Sequence, residues 1–507
     1  MVALVLYRLT LHPLASYPGP LLGRITNWYS VIDSLGGDRH IHLLELHKKH
    51  GPFVRIGPNI ISVNTAEGLR GIYGPGANVR KSNYYTMFKK VFEADSIFST
   101  LDPGPHSRKK RVLANALSET SIRAMEELVL RNIDKFITIL GGDNDVVDVQ
   151  NLDRWSNPKN MHDWAGYMTL DVISDVCFTN SFEMLDKPDN RPLTKELALG
   201  VRGLYVAGWM PALYSLRIFF GPLLANLYAT LDRFKGFARE QTQRRIALQA
   251  APGYVQHTDI YSHLLAANVK GVEDQQRPLF TQAELVGETS VLISAGSDTL
   301  SASLSAEIRG GSDFISSPPR FNSLDEIRWT NPKLTECSYL RACIDEAMRM
   351  SPAIPSLLPR RVLRGGVDIA NHYFPEGTDL SVSAYAIHHN EDYFENSFEY
   401  LPERWLSGGG DGSKQSAPTS AYTPFSIGPF GCPGRSLAIK ELLVTIARIV
   451  FMYDIRLTPG KEDFGAGGPG KGPGREREGE CQIQDDFVGA PDGPWVQFRT
   501  RQTETDE

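Results

Sequence analysis

Hydrophobic positions along the chain follow two rhythms, which divide it into a large helical part and a small sheet part. From about Ile122 to Leu248 apolar residues recur at three- and four-residue spacing, as at Leu128, Ile133, Phe136 and Ile137 and later at Leu223, Leu227, Leu231 and Phe234, which predicts helices. A further helix is predicted from about Ala283 to Ile308. The run FVRIGPNIISVN, Phe53 to Asn64, instead reads as two short strands around a Gly57-Pro58-Asn59 turn. Between Leu363 and Ile387 the texture becomes short β-type runs with a Pro375-Glu376-Gly377 turn. Two glycine-rich stretches, Ser407 to Ser413 and Gly465 to Gly474, read as flexible insertions. With no internal repeat and no inter-domain linker, the expected fold is a single, mainly α domain whose small β portion is formed by distant segments.

Composition narrows the function. A chain of 507 residues with 41% hydrophobic content can bury a large core. Its net charge of −6 gives no electrostatic reason to bind nucleic acid, so a small-molecule ligand is the better expectation. Five scattered cysteines without a C-x-x-C pair argue against a disulfide scaffold, a zinc ribbon or covalently attached haem, and for a reducing compartment. The opening MVALVLY, followed by Arg8 and LTLHPL, is too short to span a bilayer. It reads as part of an anchor, as a peripheral membrane contact, or as a frayed terminus.

Three segments carry chemistry. In FSIGPFGCPGRSLAIKELLVTIARIVF, Phe425 to Phe451, the glycines Gly428, Gly431 and Gly434 frame Cys432, and Cys432-Pro433 leads into a helix with Leu442, Ile446 and Ile449 on one face. N–H groups at a helix start stabilise a thiolate, the form that ligates iron. The bland alternative is a buried cysteine in a tight turn. In LRACIDEAMRMSP, Glu346 and Arg349 lie three apart on one helix face, and FEYLPERW adds Arg404; they form either a buried Glu-Arg-Arg network or exposed pairs. Within the predicted long helix, Gly296-Ser297-Asp298-Thr299 groups four poor helix formers. A local opening there would leave a groove for dioxygen, with Asp298 and Thr299 placed to pass protons; the alternative is a kink with a back-bonded threonine.

Together and in this order, these segments resemble the cytochrome P450 superfamily over nearly the whole chain. Phe425, Gly428, Cys432 and Gly434 match its cysteine loop, Glu346 and Arg349 its Glu-x-x-Arg, Pro402, Glu403 and Arg404 its Pro-Glu-Arg-Phe, and Ala295, Gly296, Asp298 and Thr299 its oxygen-activating element. The resemblance implies a single-domain fold with haem b between the long helix and the cysteine-loop helix, Cys432 as axial ligand, and Asp298 and Thr299 as catalytic residues. It places His106, Lys110 and either Arg360 or Arg361 at the haem propionates. The wording of YRLTLHPLASYPGP and RACIDEAMRMSPAIP is closest to filamentous-fungal microsomal members, many of which tailor secondary metabolites. Implied partners are an NADPH-cytochrome P450 reductase, dioxygen and a small hydrophobic substrate. The implied place is the cytosolic face of the endoplasmic reticulum, with residues 1–20 as a partial anchor, 21–502 as the catalytic domain and 503–507 as a tail.

Two positions depart from that pattern. Phe430 stands where the family usually carries Arg or His, and the chain reaches Arg309-Gly310-Gly311 without the helical stretch usual before the Glu-x-x-Arg helix. Substrate contacts are expected from Asn83 to Phe92, Leu204 to Phe220 and Pro352 to Pro359, and a reductase-docking face from Arg108, Lys109, Lys110, Arg111 and Arg435. Other functions compatible with these residues are a haem-thiolate isomerase or dehydratase that needs no electrons, a degenerate haem-binding protein, and a cysteine hydrolase. No histidine is tied to Cys432 by a recognisable hydrolase motif.

Overall fold

The computed structural model describes residues 2–142, 154–212, 225–255, 258–275, 279–310, 321–406 and 420–501. Its centre is the helix Gln282–Gly310, which packs along Met161–Phe178 and also meets Ala225–Ala250, Ser338–Met350 and Arg435–Met452. The apolar periodicity explains the helices around it. Ile133, Phe136 and Ile137 are buried on Glu126–Gly141, and Leu231 and Phe234 on Ala225–Ala250; Leu223 and the side chain of Leu227 lie outside the described residues. The central helix is rich in buried serines. Ser290, Ser297, Ser301 and Ser305 each donate to a carbonyl three or four residues back, which satisfies the hydroxyls without a partner from elsewhere.

Distant segments do build the sheet. Its five strands run Phe53–Gly57, Ile60–Val63, Asp379–Ser381, Arg360–Val362 and Val79–Lys81 in spatial order. The first two form the expected hairpin, with Phe53 opposite Val63, and Ile60–Val63 then pairs in parallel with Asp379–Ser381. The remaining pairs are antiparallel and set Lys81 opposite Arg360.

Two expectations change. Ala384–His388, within the stretch read as β, is a short helix capped by the Ser383 hydroxyl, because a serine acceptor at the N-cap favours the first helical turn. Gly465 to Gly474 is irregular yet packed: Ala466 is buried and bridges to Cys481, and Gly468 N–H donates to Arg475 O at 2.9 Å. The other glycine-rich stretch, Ser407 to Ser413, lies outside the described residues. At the amino end, helix Val2–Thr10 is held by Arg55, whose guanidinium donates to Arg8 O at 2.8 Å and Leu14 O at 3.2 Å. Among the described residues no helix is long and apolar enough to cross a membrane.

Candidate active site

A cavity of about 360 Å³ lies between the central helix and the cysteine loop. The loop forms because Gly428 takes φ +69° in close approach to the end of the helix Ala66–Tyr73; a Cβ there would sit 2.1 Å from Tyr73 O. Residues Gly428–Phe430 make one 3-10 turn, Cys432 N–H donates to Phe425 O at 2.9 Å, and the helix Arg435–Met452 starts three residues after the cysteine. Leu442, Ile446 and Ile449 bury its inner face. Cys432, Phe425 and Gly434 all line the cavity, and the exposure of Cys432 is to this chamber. Burial pushes its thiol up, and the N–H groups of Gly434 and Arg435 with the Lys110 ammonium oppose that push. The five cysteines are all free.

Asp298 and Thr299 face the same cavity from the central helix. That helix does not open there: it runs unbroken through Gly296 to Thr299, and the Thr299 hydroxyl donates back to Ala295 O at 2.8 Å. The poor helix formers serve packing and polarity instead. A Cβ on Gly296 would lie 2.5 Å from Ile173 Cδ1, so glycine is what lets Met161–Phe178 approach. From that neighbouring helix Thr169 donates its hydroxyl to Ser297 O at 3.2 Å. Asp298 accepts from the Ser297 hydroxyl at 3.2 Å, and loss of solvent raises its carboxyl to about 7.

One end of the cavity is basic. Arg360 is buried and donates to Tyr85 Oη at 2.9 Å and to Leu358 O and Pro359 O. Arg361 is bound to Asp379 at 2.9 and 2.7 Å, whereas the Arg360 guanidinium lies behind the cavity wall, 5.0 Å from the ring of Phe430, which lines it. His106 and Lys110, one turn apart on Pro103–Ala116, both line the cavity. Desolvation, then Lys81, Lys110 and Arg360, lower His106 to about 3, so its imidazole is neutral. Lys110 reaches the cysteine loop itself, donating to Pro429 O at 2.7 Å and more weakly to Gly428 O and Gly431 O. Lys109 cannot belong to a docking face as expected from sequence: it is buried between Glu284 and Glu288 at 3.0 and 3.1 Å. Phe430 sits among these groups, its ring 4.6 Å from that of His106.

The three residues of the Glu-Arg-Arg pattern converge, with Glu346 and Arg349 buried and Arg404 half-buried. Arg349 grips Glu346 through two bonds of 2.8 and 2.9 Å, and Arg404 adds one of 3.0 Å. Leu401 N–H and the Trp405 indole complete the carboxylate's shell at 3.0 and 2.9 Å, while Arg349 also donates to His388 O and Ser397 O. Trp405 stands in the phenylalanine position of the sequence pattern, and only the geometry shows that its N–H is used.

The remaining walls are mostly apolar. Phe88, Phe92, Leu204, Ala353, Ile354 and Leu358 come from the three segments expected to meet substrate; of these segments, 213–220 lie outside the described residues. Ile97, Phe98 and Phe487 also line the chamber, and the sequence held no periodic signal for them. Phe487 is the tip of the hairpin Ile483–Asp486/Val488–Pro491, at φ +80°. Segment 311–320, which follows the central helix, lies outside the described residues.

Comparison with known proteins agrees with this geometry. The family profile described as Cytochrome P450 matches residues 15–308 and 325–464. Cytochrome P450 monooxygenase apf7 of Gibberella fujikuroi is 32% identical over 99% of this chain and 96% of its own length. Cytochrome P450 monooxygenase AKT7 of Alternaria alternata is 32% identical over 98% and 95%, and poxM of Penicillium oxalicum 33% over 98% and 92%. In fold, the chain is similar to the crystal structure of the cytochrome P450DA heme domain, with a TM-score of 0.70 at 15% identity over 96% of this chain and 98% of that one. With a family profile over most of its length and near full-length monooxygenase relatives, the chain belongs to the cytochrome P450 family.

Proposed function

We propose that this protein is a haem-thiolate monooxygenase that inserts one oxygen atom of dioxygen into an apolar organic substrate, a fungal secondary metabolite, using electrons from a separate NADPH-dependent reductase. The observation that carries this reading is one cavity lined by a cysteine thiol, a near-neutral carboxyl group and apolar walls, with a basic end that suits the propionates of haem b. Haem, when bound, supplies dioxygen activation and oxygen-atom transfer. Cys432 Sγ holds the iron as a thiolate, supported by the N–H groups of Gly434 and Arg435. Arg360, His106 and Lys110 face the propionates. Asp298 holds a proton on its carboxyl near pH 7 and, with the Thr299 hydroxyl, passes it to dioxygen as it is reduced. Glu346, Arg349 and Arg404 hold the frame on which the cysteine loop rests.

In this reading residues 21–502 are the catalytic domain. Val2, Leu4, Leu6 and Tyr7 are exposed on the first helix, which suits contact with the cytosolic face of the endoplasmic reticulum membrane. The test is spectroscopic and then catalytic. Reduced protein with carbon monoxide should give the red-shifted Soret band of a thiolate ligand; a histidine-type spectrum in folded protein removes Cys432 from the role. Turnover should require reductase, NADPH and dioxygen, and product formed without them would replace the monooxygenase with an isomerase or dehydratase.

A further inference from the structure

The sheet places Lys81 directly opposite Arg360. Like charges in that relation repel and destabilise a strand pair. Both side chains are almost wholly buried, at 5% and 2% exposure, so solvent does little to screen them. Of the nearby carboxylates, Asp379 is bound by Arg361 at 2.7 Å, and Glu288, whose Oε1 meets Lys109 at 3.1 Å, offsets the Lys81 charge only in part and through space. Burial and the Arg360 charge push the Lys81 ammonium well below its usual value, so an anion beside the pair is what would let it keep its proton.

Both cations have a donor to spare. Lys81 Nζ donates to Ile97 O and Phe98 O, each at 2.8 Å, and an ammonium group has three N–H bonds. Lys81 also lines the cavity. Arg360 Nε is buried without an acceptor. The cysteine loop meets these groups through the Phe430 ring, 5.4 Å from Lys81 Nζ and 5.0 Å from the Arg360 guanidinium carbon. The position where the resembled family carries a cation is thus an aromatic face that two other cations share.

We propose that Lys81 is a haem-propionate partner that takes the place of the cation missing at Phe430 and closes, with Arg360, a carboxylate-binding site. The proposal rests on the reading of the cavity as a haem site and adds to it a residue that no sequence motif indicates. It has a second consequence. Because the other two N–H groups of Lys81 hold the backbone of Ile97 and Phe98, which line the cavity, one ammonium group joins the cofactor's carboxylate to the wall of the substrate chamber.

The test is haem transfer from the holoprotein to excess apomyoglobin, with the carbon monoxide spectrum and circular dichroism recorded for every variant. Lys81→Arg keeps the charge, and Lys81→Gln keeps a donor for the Ile97 and Phe98 carbonyls but loses it. Lys81→Gln should release haem on the order of tenfold faster, equivalent to about 1.4 kcal/mol, and Lys81→Arg should stay close to wild type. Phe430→Arg should leave wild-type transfer no slower, since the anion is already met, yet restore slow transfer in the Lys81→Gln background. Wild-type transfer from folded Lys81→Gln, or the same factor from Phe430→Arg in both backgrounds, overturns the proposal. Should Lys81→Gln alone not accumulate, recovery of folded haem protein on adding Phe430→Arg supports the exchange of cations, and failure to recover overturns it. Absence of the thiolate band in the wild type would strike the haem reading itself, before any Lys81 variant is compared.

Discussion

Gly296 and Ile173 touch so closely that the two helices carrying them admit no side chain at the glycine: an added Cβ would stand 2.5 Å from Ile173 Cδ1 and 2.7 Å from its Cγ1. Gly296→Ala should therefore destabilise the protein by about 1–3 kcal/mol, the usual range for overpacking. The second variant Ile173→Ala makes room, so the double variant should melt well above the sum of the two single losses. Thermal unfolding of the three variants reads this directly, and additive losses would mean that the contact is relieved by backbone movement instead.

The Glu346 carboxylate is bound by Arg349, Arg404, Leu401 N–H and Trp405 with no solvent access. Glu346→Ala leaves buried guanidinium groups unpaired, a change that costs about 3–5 kcal/mol. Soluble, haem-loaded protein should be lost. Normal haem content and melting temperature in that variant would show that the arginines find other acceptors.

Asp298, with its carboxyl raised to about 7 by loss of solvent, titrates within the working range. Below that value it holds a proton to give, and above it the proton is gone. Peroxide released per NADPH consumed should thus rise as pH climbs through 7. Asp298→Asn should release more peroxide at all pH values and flatten this dependence, and Thr299→Ala should do so while leaving substrate-induced spectral shifts intact. A pH-independent yield in the wild type would detach Asp298 from proton delivery.

Glu307 is buried near the end of the central helix with neither carboxylate oxygen hydrogen-bonded, and burial, with Asp345 close by, raises it to about 8. A folded-state pKa above the unfolded value of 4.5 means that the unfolded chain ionises first as pH rises. Its cost to stability is absent below about pH 4.5, grows through pH 5–8 and then levels off. Glu307→Gln should remove that slope and stabilise the protein at pH 8 by up to a few kcal/mol. Equal wild-type and variant unfolding curves at pH 5 and pH 8 would show that Glu307 gains solvent or a partner.

Much of this arrangement is legible in the sequence, and for local reasons. Glu346 and Arg349 meet because residues three apart share a helix face, and Gly428 announces a turn because few other residues tolerate its φ. Other parts depend on contacts that no local pattern encodes. Lys109 and Lys110 are adjacent in a run of bases, yet one turns into the core toward Glu284 and Glu288 and the other toward the cysteine loop. The four poor helix formers at Gly296 to Thr299 look like a break, and the helix survives them because Ile173 and Thr169 from the adjoining helix fill and bond that surface. Lys81 carries no motif; its place follows from a strand register that pairs residues almost 280 positions apart.

The hairpin that ends in Phe487 is fixed at its base: Asp485 accepts from Tyr205 Oη at 3.1 Å, Asp485 N–H bonds to Gly37 O, and Gly489 N–H bonds to Ala353 O. Its fingertip enters the chamber, and its second strand, Val488–Pro491, packs on the central helix. The shape of the chamber can therefore be varied through a turn remote in sequence from both Cys432 and Asp298.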